Sequence, residues 1–314
     1  MPSVDTNGAT GSSTAASLAT YIKACQDVSG SKANPRAKVI IDSLIKHLFE
    51  FATEVDLTID EWLMACNVLI KSGQDSSDKR NEMILISDVL GLESLLDTMA
   101  HERAERAAAK SGNKAAIKST DSAILGPFYR ENAPEYKNGS DIVQDHHLTD
   151  KEGNKGETTY VHGIVTDLNG KPIAGAKMDV WHTAPNGYYD SQDEQQSPYN
   201  NRGLFTSADD GSFAFKALRP TPYPVPVDSG AGDILKALDR TAMRPAHIHF
   251  YVRAPGYKTL ITQIFDKQCK YMAADAVFAT KESLVVDFNK PFTPGVDTDT
   301  ELKYNIVLVP ESAA

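Results

Sequence analysis

The apolar positions of the chain change rhythm once. Up to about residue 110 they recur every three or four residues. In "NPRAKVIIDSLIKHLFEF", Val39, Ile40, Leu44, Ile45, Leu48 and Phe51 fall at helical spacing, with Asn34 placed to cap the helix and Pro35 at its first position. In "TIDEWLMACNVLIKSG", Thr58 and Glu61 have the spacing of a capping box, and Gly73 suits the stop. A third helical segment, "SDKRNEMILISDVLGLESLLDTMAHERAERAAAK", is predicted to break near Gly91. Turn formers then dominate "KSGNKAAIKSTDSAILGPFYRENAPEYKNGSD", which puts a domain boundary near residue 115. Beyond it lie short β-prone runs, "TYVHGIVTD", "KMDVWH", "SFAFKAL", "HIHFYVRA", "TLITQIF", "SLVVDF" and "YNIVLV", with turn signals such as "NGKP" and "DDGS" between them and one short helical stretch in "AGDILKALDR". Helices followed by strands predict an α+β chain: a disordered tail over 1–15, a helical region over 16–115 and an antiparallel β-sandwich over 116–314.

Composition narrows the class. At 314 residues and 41% hydrophobic, the chain can bury a sizeable core. The 32 Lys and Arg against 42 Asp and Glu leave a net charge of −10, and no basic block is present to neutralise phosphates, so nucleic acid is not an expected partner. Cys25, Cys66 and Cys269 lie far apart without a C-x-x-C pair, which argues against a disulfide framework and a thiolate zinc site and for a reducing compartment. The first residues lack the charged and apolar regions of a signal peptide, and no apolar run is long enough to span a bilayer. A cytoplasmic protein is expected.

Candidate chemistry begins at "RPAHIHF". In an extended strand, side chains alternate between faces, so His247 and His249 share one face while Ile248 and Phe250 take the other. Two imidazoles alone are a fragment of a metal site for Zn, Cu, Fe or Ni, and equally two ordinary histidines. His182 in "DVWHT" reads at least as well as an ordinary buried strand histidine as it does as a ligand. Tyrosine is the better-placed supplement: "NGYYD" offers Tyr188 and Tyr189 at a strand end, and "RPTPYPVPVDSG" offers Tyr223 where prolines fix the backbone. Two phenolates with two imidazoles make a hard, anionic O/N donor set. Such a set favours Fe(III) over Fe(II) or Zn(II), and the metal in turn drives phenols with free pKa of about 10 to ionise.

These blocks, together with "SDVLGLESLLD", "AILGPFYRENAP", "VHGIVTDLNGKPIAGAKMDVWHTAPNGYYD" and "RPAHIHFYVRAPGYKTLITQIF", resemble the intradiol ring-cleavage dioxygenases, in particular the catechol and hydroxyquinol 1,2-dioxygenase group. The resemblance implies one non-haem Fe(III) per subunit, held by Tyr189 and Tyr223 as phenolates and by His247 and His249. The second tyrosine of "GYYD" is the ligand in the family motif, which leaves Tyr188 outside. It further implies that Arg244 lies over the substrate and opposes charge developing on the ring, that Gln263 stands near the same face, and that Tyr223 acts as a base as well as a ligand. Ile124, Leu125, Gly126, Pro127 and Phe128 correspond to residues lining the substrate pocket. Substrates would be an aromatic diol and O₂, and the helical region would form a homodimer interface with a bound lipid. No carboxylate pair is needed for acid/base work, so Asp190 and Asp228 are read as turn residues.

Catechol, giving cis,cis-muconate, is the expected substrate. Hydroxyquinol, giving maleylacetate, is the alternative, and Asp97 is the candidate contact for its extra hydroxyl. Two other readings differ in class. A non-enzymatic sandwich binding module would hold no metal, and a zinc hydrolase would need a third His or acidic ligand beside His247 and His249.

Overall fold

Helices form where caps and periodicity place them. The computed structural model describes residues 11–77, 80–110 and 117–311. Helices α1 (Gly11–Gln26), α2 (Pro35–Glu54), α3 (Ile59–Asp75), α4 (Glu82–Val89) and α5 (Leu92–Lys110) follow in order. Asn34 caps α2 by accepting from the Ala37 amide at 3.0 Å. At α3 the Thr58 amide donates to Glu61 at 2.9 Å while the Glu61 amide donates back to the Thr58 hydroxyl at 3.3 Å, closing the capping box. Gly91, at φ +79, takes the left-handed conformation that separates α4 from α5. Gly73, by contrast, does not stop α3, which runs two residues further; an interior glycine costs a helix only about 1 kcal/mol. Of the tail expected over 1–15, residues 1–10 lie outside the described residues, and α1 begins at Gly11.

The chain divides into two compact units, 1–67 and 68–314. Helices α4 and α5 therefore belong with the strands rather than with α1 and α2. The cause is apolar burial: Leu85, Ile86 and Val89 of α4 pack with Leu235, Phe265 and Val277 from the strand-bearing region.

That region contains β1 (Thr158–Asp167), β2 (Lys177–Trp181), β3 (Arg202–Thr206), β4 (Ser212–Leu218), β5 (Tyr223–Pro224), α6 (Gly230–Ala237), β6 (Met243–Arg244), β7 (His247–Arg253), β8 (Leu260–Asp266), β9 (Val285–Val286), β10 (Thr300–Lys303) and β11 (Ile306–Leu308). One sheet runs β10-β1-β11 with β4 also on β1, a second runs β3-β2-β7-β8-β9, and β5 pairs with β6 as a separate ribbon. The core lies between the two large sheets, with Val161, Val165, Phe213 and Phe215 from the first packed with Met178, Val180, Phe205, Ile248 and Phe250 from the second. The sandwich is mixed, which corrects the expectation of an antiparallel one: β10 and β11 run parallel to β1, and β9 runs parallel to β8. A parallel partner needs a long return, which the 267–284 segment supplies between β8 and β9. Gly163 of β1 permits the junction between β10 and β11, since a Cβ there would stand 1.8 Å from the Tyr304 carbonyl oxygen.

Strand β7 alternates as its sequence predicts. Ile248 and Phe250 enter the core; His247 and His249 take the opposite face, where Trp181, Gln263 and Phe265 are their direct cross-strand neighbours.

Candidate active site

Four side chains from three places converge on that outer face. The ribbon β5–β6 sets Tyr223 opposite Arg244 in register. Tyr189 follows a turn that closes at Gly187, at φ +82, and is fixed by its own amide donating to the Gln192 side chain at 3.0 Å. The Tyr189 hydroxyl lies 3.2 Å from the Tyr223 hydroxyl and 3.2 Å from His249 Nε2, and the Nε2 atoms of His247 and His249 are 3.1 Å apart. All four residues are at most 3% exposed. Tyr188, at 49% exposed, points away.

The neighbours hold this cluster still. Trp181 stacks on His249 with ring centroids 4.5 Å apart, and Phe128 stacks on Tyr189 at 4.9 Å. His247 Nδ1 lies 2.7 Å from the Pro245 carbonyl, which makes Nδ1 the protonated nitrogen and aims the Nε2 lone pair at the cluster. Burial, then the Arg244 charge, pushes the His247 imidazole down to about 3; burial, then His247 and Arg244, holds His249 well below the usual range. Both rings are neutral at pH 7. Burial, then Tyr223, raises Tyr189 well above an ordinary phenol, so without a metal its proton stays on.

Arg244 donates to His247 Nε2 at 3.1 Å, to Gln263 Oε1 at 2.7 Å and, through Nε, to Asp275 at 3.1 Å. Gln263 in turn donates to the Ile124 carbonyl at 2.7 Å, tying the segment 124–128 to the cluster. Within that segment Ile124 and Phe128 are buried, Leu125 and Pro127 are half-buried, and Gly126 sits at φ +76 with its missing Cβ directed at His249. Asp97 does not join them. Its carboxylate pairs with Lys281 at 2.7 Å, and the same ammonium donates to the Ser122 carbonyl.

Three acids took roles the sequence did not disclose. Asp190, read as a turn residue, is a buried anchor beside Tyr189: it accepts from Arg202 Nε at 2.6 Å, from the Tyr199 amide at 2.9 Å and from Arg130. Removing one partner of so buried a pair typically costs about 3–5 kcal/mol. Asp228 does stay at the surface, paired with Arg80. Asp275 fixes Arg244, and nothing in "MAADAVFAT" marks it. Asp88, fully buried, faces Glu93, whose carboxylate accepts from the Leu125 amide at 3.1 Å.

Among the described residues no group of three or more His, Cys, Asp or Glu side chains is placed to hold a metal ion. The cluster of two phenols and two imidazoles is a different donor set. Its edges of 3.1–3.2 Å are those of donors each about 2 Å from one shared centre. The fit is therefore to a hard cation that accepts phenolate oxygen and imidazole nitrogen together.

Comparison with known proteins covers the segments that carry these residues. Residues 131–310 match a family model described as "Dioxygenase", and residues 34–108 match one described as "Catechol dioxygenase N terminus". The chain is 42% identical over 289 residues to a catechol 1,2-dioxygenase of Candida albicans, covering 90% of each chain. It is 39% identical over 277 residues to a 6-chlorohydroxyquinol 1,2-dioxygenase of Cupriavidus pinatubonensis, covering 88% of this chain and 92% of the other. Among solved structures it resembles a hydroxyquinol 1,2-dioxygenase of Pseudomonas putida, with a TM-score of 0.79 at 35% identity over 95% of this chain and all of that one.

Proposed function

We propose, since this chain belongs to the intradiol ring-cleavage dioxygenases, that Tyr189, Tyr223, His247 and His249 hold one non-haem Fe(III) and that the diol opened there is catechol, giving cis,cis-muconate. The observation that carries the reading is the convergence of two phenol oxygens and two imidazole nitrogens in a pocket with no carboxylate among the four. When bound, the ferric ion supplies a docking point for both diol oxygens and mediates their spin-forbidden reaction with O₂.

The side chains do the rest. Neutral imidazoles present lone pairs with no proton to displace. Tyr223 lies on the two-stranded ribbon, opposite Arg244, where its phenolate oxygen can take a proton from the incoming diol and leave the way open for it. The Arg244 guanidinium opposes negative charge as it builds on the ring, in a buried site where water does not screen it. Phe128, Trp181 and the 124–128 segment exclude solvent from the reacting face.

Asp88 favours a second reading, hydroxyquinol. Its carboxyl is fully buried, its hydrogen-bonding neighbour is the Glu93 carboxyl, and it interacts electrostatically with Arg244. A neutral acid so placed could accept and donate to a third ring hydroxyl, a role Asp97 cannot take while Lys281 engages it. The test is turnover of the iron-loaded protein with each diol, following O₂ uptake and identifying the product. The proposal expects ring-opened acid from catechol at one O₂ per diol, with kcat/KM no lower than for hydroxyquinol. A preference for hydroxyquinol of more than tenfold overturns the choice of substrate, and no uptake with either diol overturns the reaction.

We further propose that the protein is a cytoplasmic homodimer with a lipid at its helical interface. What supports this is apolar surface without cover: Leu44, Leu48 and Phe51 of α2 and Trp62 of α3 are each about half exposed. No described helix is long and apolar enough to cross a membrane.

A further inference from the structure

Arg244 is buried, long and flexible, so something must choose which of its N–H groups faces the reaction. Nε and Nη2 are both committed: Nε to Asp275 Oδ1 at 3.1 Å, Nη2 to Gln263 at 2.7 Å and to Asp275 Oδ2 at 3.5 Å. Nη1 donates to His247 Nε2, the lone pair that the proposed function gives to iron.

Asp275 does not depend on Arg244 for its own orientation. Its Oδ1 accepts from the Val277 amide at 3.2 Å, and its Oδ2 from the Ala279 amide and the Thr280 hydroxyl, each at 3.1 Å. The turn that carries it is fastened from outside. Arg240 donates to the Val89 and Ala276 carbonyls at 2.7 and 2.8 Å, and the Ser94 hydroxyl donates to the Val277 carbonyl at 2.9 Å. The carboxylate is thus held before the guanidinium arrives.

Resting on the site reading above, we propose that Asp275 is a positioning residue for ring cleavage, holding Arg244 so that Nη1 alone is left to face the diol once His247 is engaged. The alternative is that Asp275 only closes the 275–280 turn. Electrostatics supports the positioning role. Burial pushes the Asp275 carboxyl up, but the Arg244 charge and hydrogen bond outweigh it and keep the acid ionised. The pair enters the interior as a matched couple, and the cost of burying an unpaired guanidinium is avoided. Orientation to within about 0.5 Å is what a charge-stabilising group needs to act on a developing anion.

A double-mutant cycle on the iron-loaded protein separates the two roles. D275N keeps shape and one acceptor while losing the charge. Iron content and the visible tyrosinate band of D275N should match the parent, because the four donors are untouched. Its kcat/KM for catechol should fall roughly 10- to 100-fold, chiefly in kcat, by loss of aim at one charge-stabilising group. In an R244M background the same change should cost less than about threefold. Losses that multiply in the double variant, or a D275N protein with parental kcat/KM, overturn the inference. If the parent itself neither binds iron nor opens catechol, the site reading falls and takes the inference with it; a parent that turns over leaves the cycle to decide Asp275 alone.

Discussion

Asp88 is an acid placed where an acid should not ionise. Burial, then the neighbouring Glu93 carboxylate, raises its pKa to about 9, against about 3.9 in an unfolded chain. Between those values the native protein keeps a proton that the unfolded chain releases, so native stability falls as pH rises across the window. The contribution is fully present below about pH 4 and gone by about pH 9. Asn at this position never ionises and escapes the loss. D88N should therefore gain in Tm relative to the parent on going from pH 5.5 to pH 8.5, read by thermal unfolding at both; a difference between the two proteins that is the same at both pH values would contradict the assignment. At this scale the sequence was informative about residues with strong chemical identity. The strand period put His247 and His249 on one face, and proline and glycine fixed where Tyr223 and Tyr189 would stand. It was silent on Asp88, Asp190 and Asp275, because a carboxylate in a short turn looks the same whether water or a buried guanidinium satisfies it. The pairing of Asp97 was hidden for a related reason: its partner Lys281 is 184 residues away.

Elements were legible where the pattern was local. The caps at Asn34 and Thr58, the break at Gly91 and the alternation in β7 each depend on a few consecutive residues. β3 was missed because its "RGLFT" opens with a buried arginine that pairs with Asp190, so its polar start hid a largely buried strand. β10, "TELK", was missed for a similar reason. Glu301 on it is fully buried and accepts from the Phe292 and Thr293 amides at 2.6 and 2.9 Å, which turns an apparently exposed run into a structural strand. The direction of β9, β10 and β11 was out of reach, since antiparallel and parallel partners ask for the same side chains and differ only in the path between them.

For the whole molecule, the shift from helical to strand period located the two kinds of structure, whereas the division at 67/68 follows from which helices bury their apolar faces on the strands. The half-exposed apolar side chains of α2 and α3 call for a partner surface, and a second copy is the occupant proposed. Light scattering at micromolar concentration should return twice the chain mass; a monomer there would remove the dimer. The central claim is the donor set, and the visible absorption spectrum of the purified protein, followed by titration with catechol under nitrogen, tests it most directly. A red tyrosinate-to-Fe(III) band that moves to longer wavelength with catechol and is lost or shifted in Tyr223→Phe is the predicted result. A protein that stays colourless after Fe(III) is added, with no response to catechol, would contradict it.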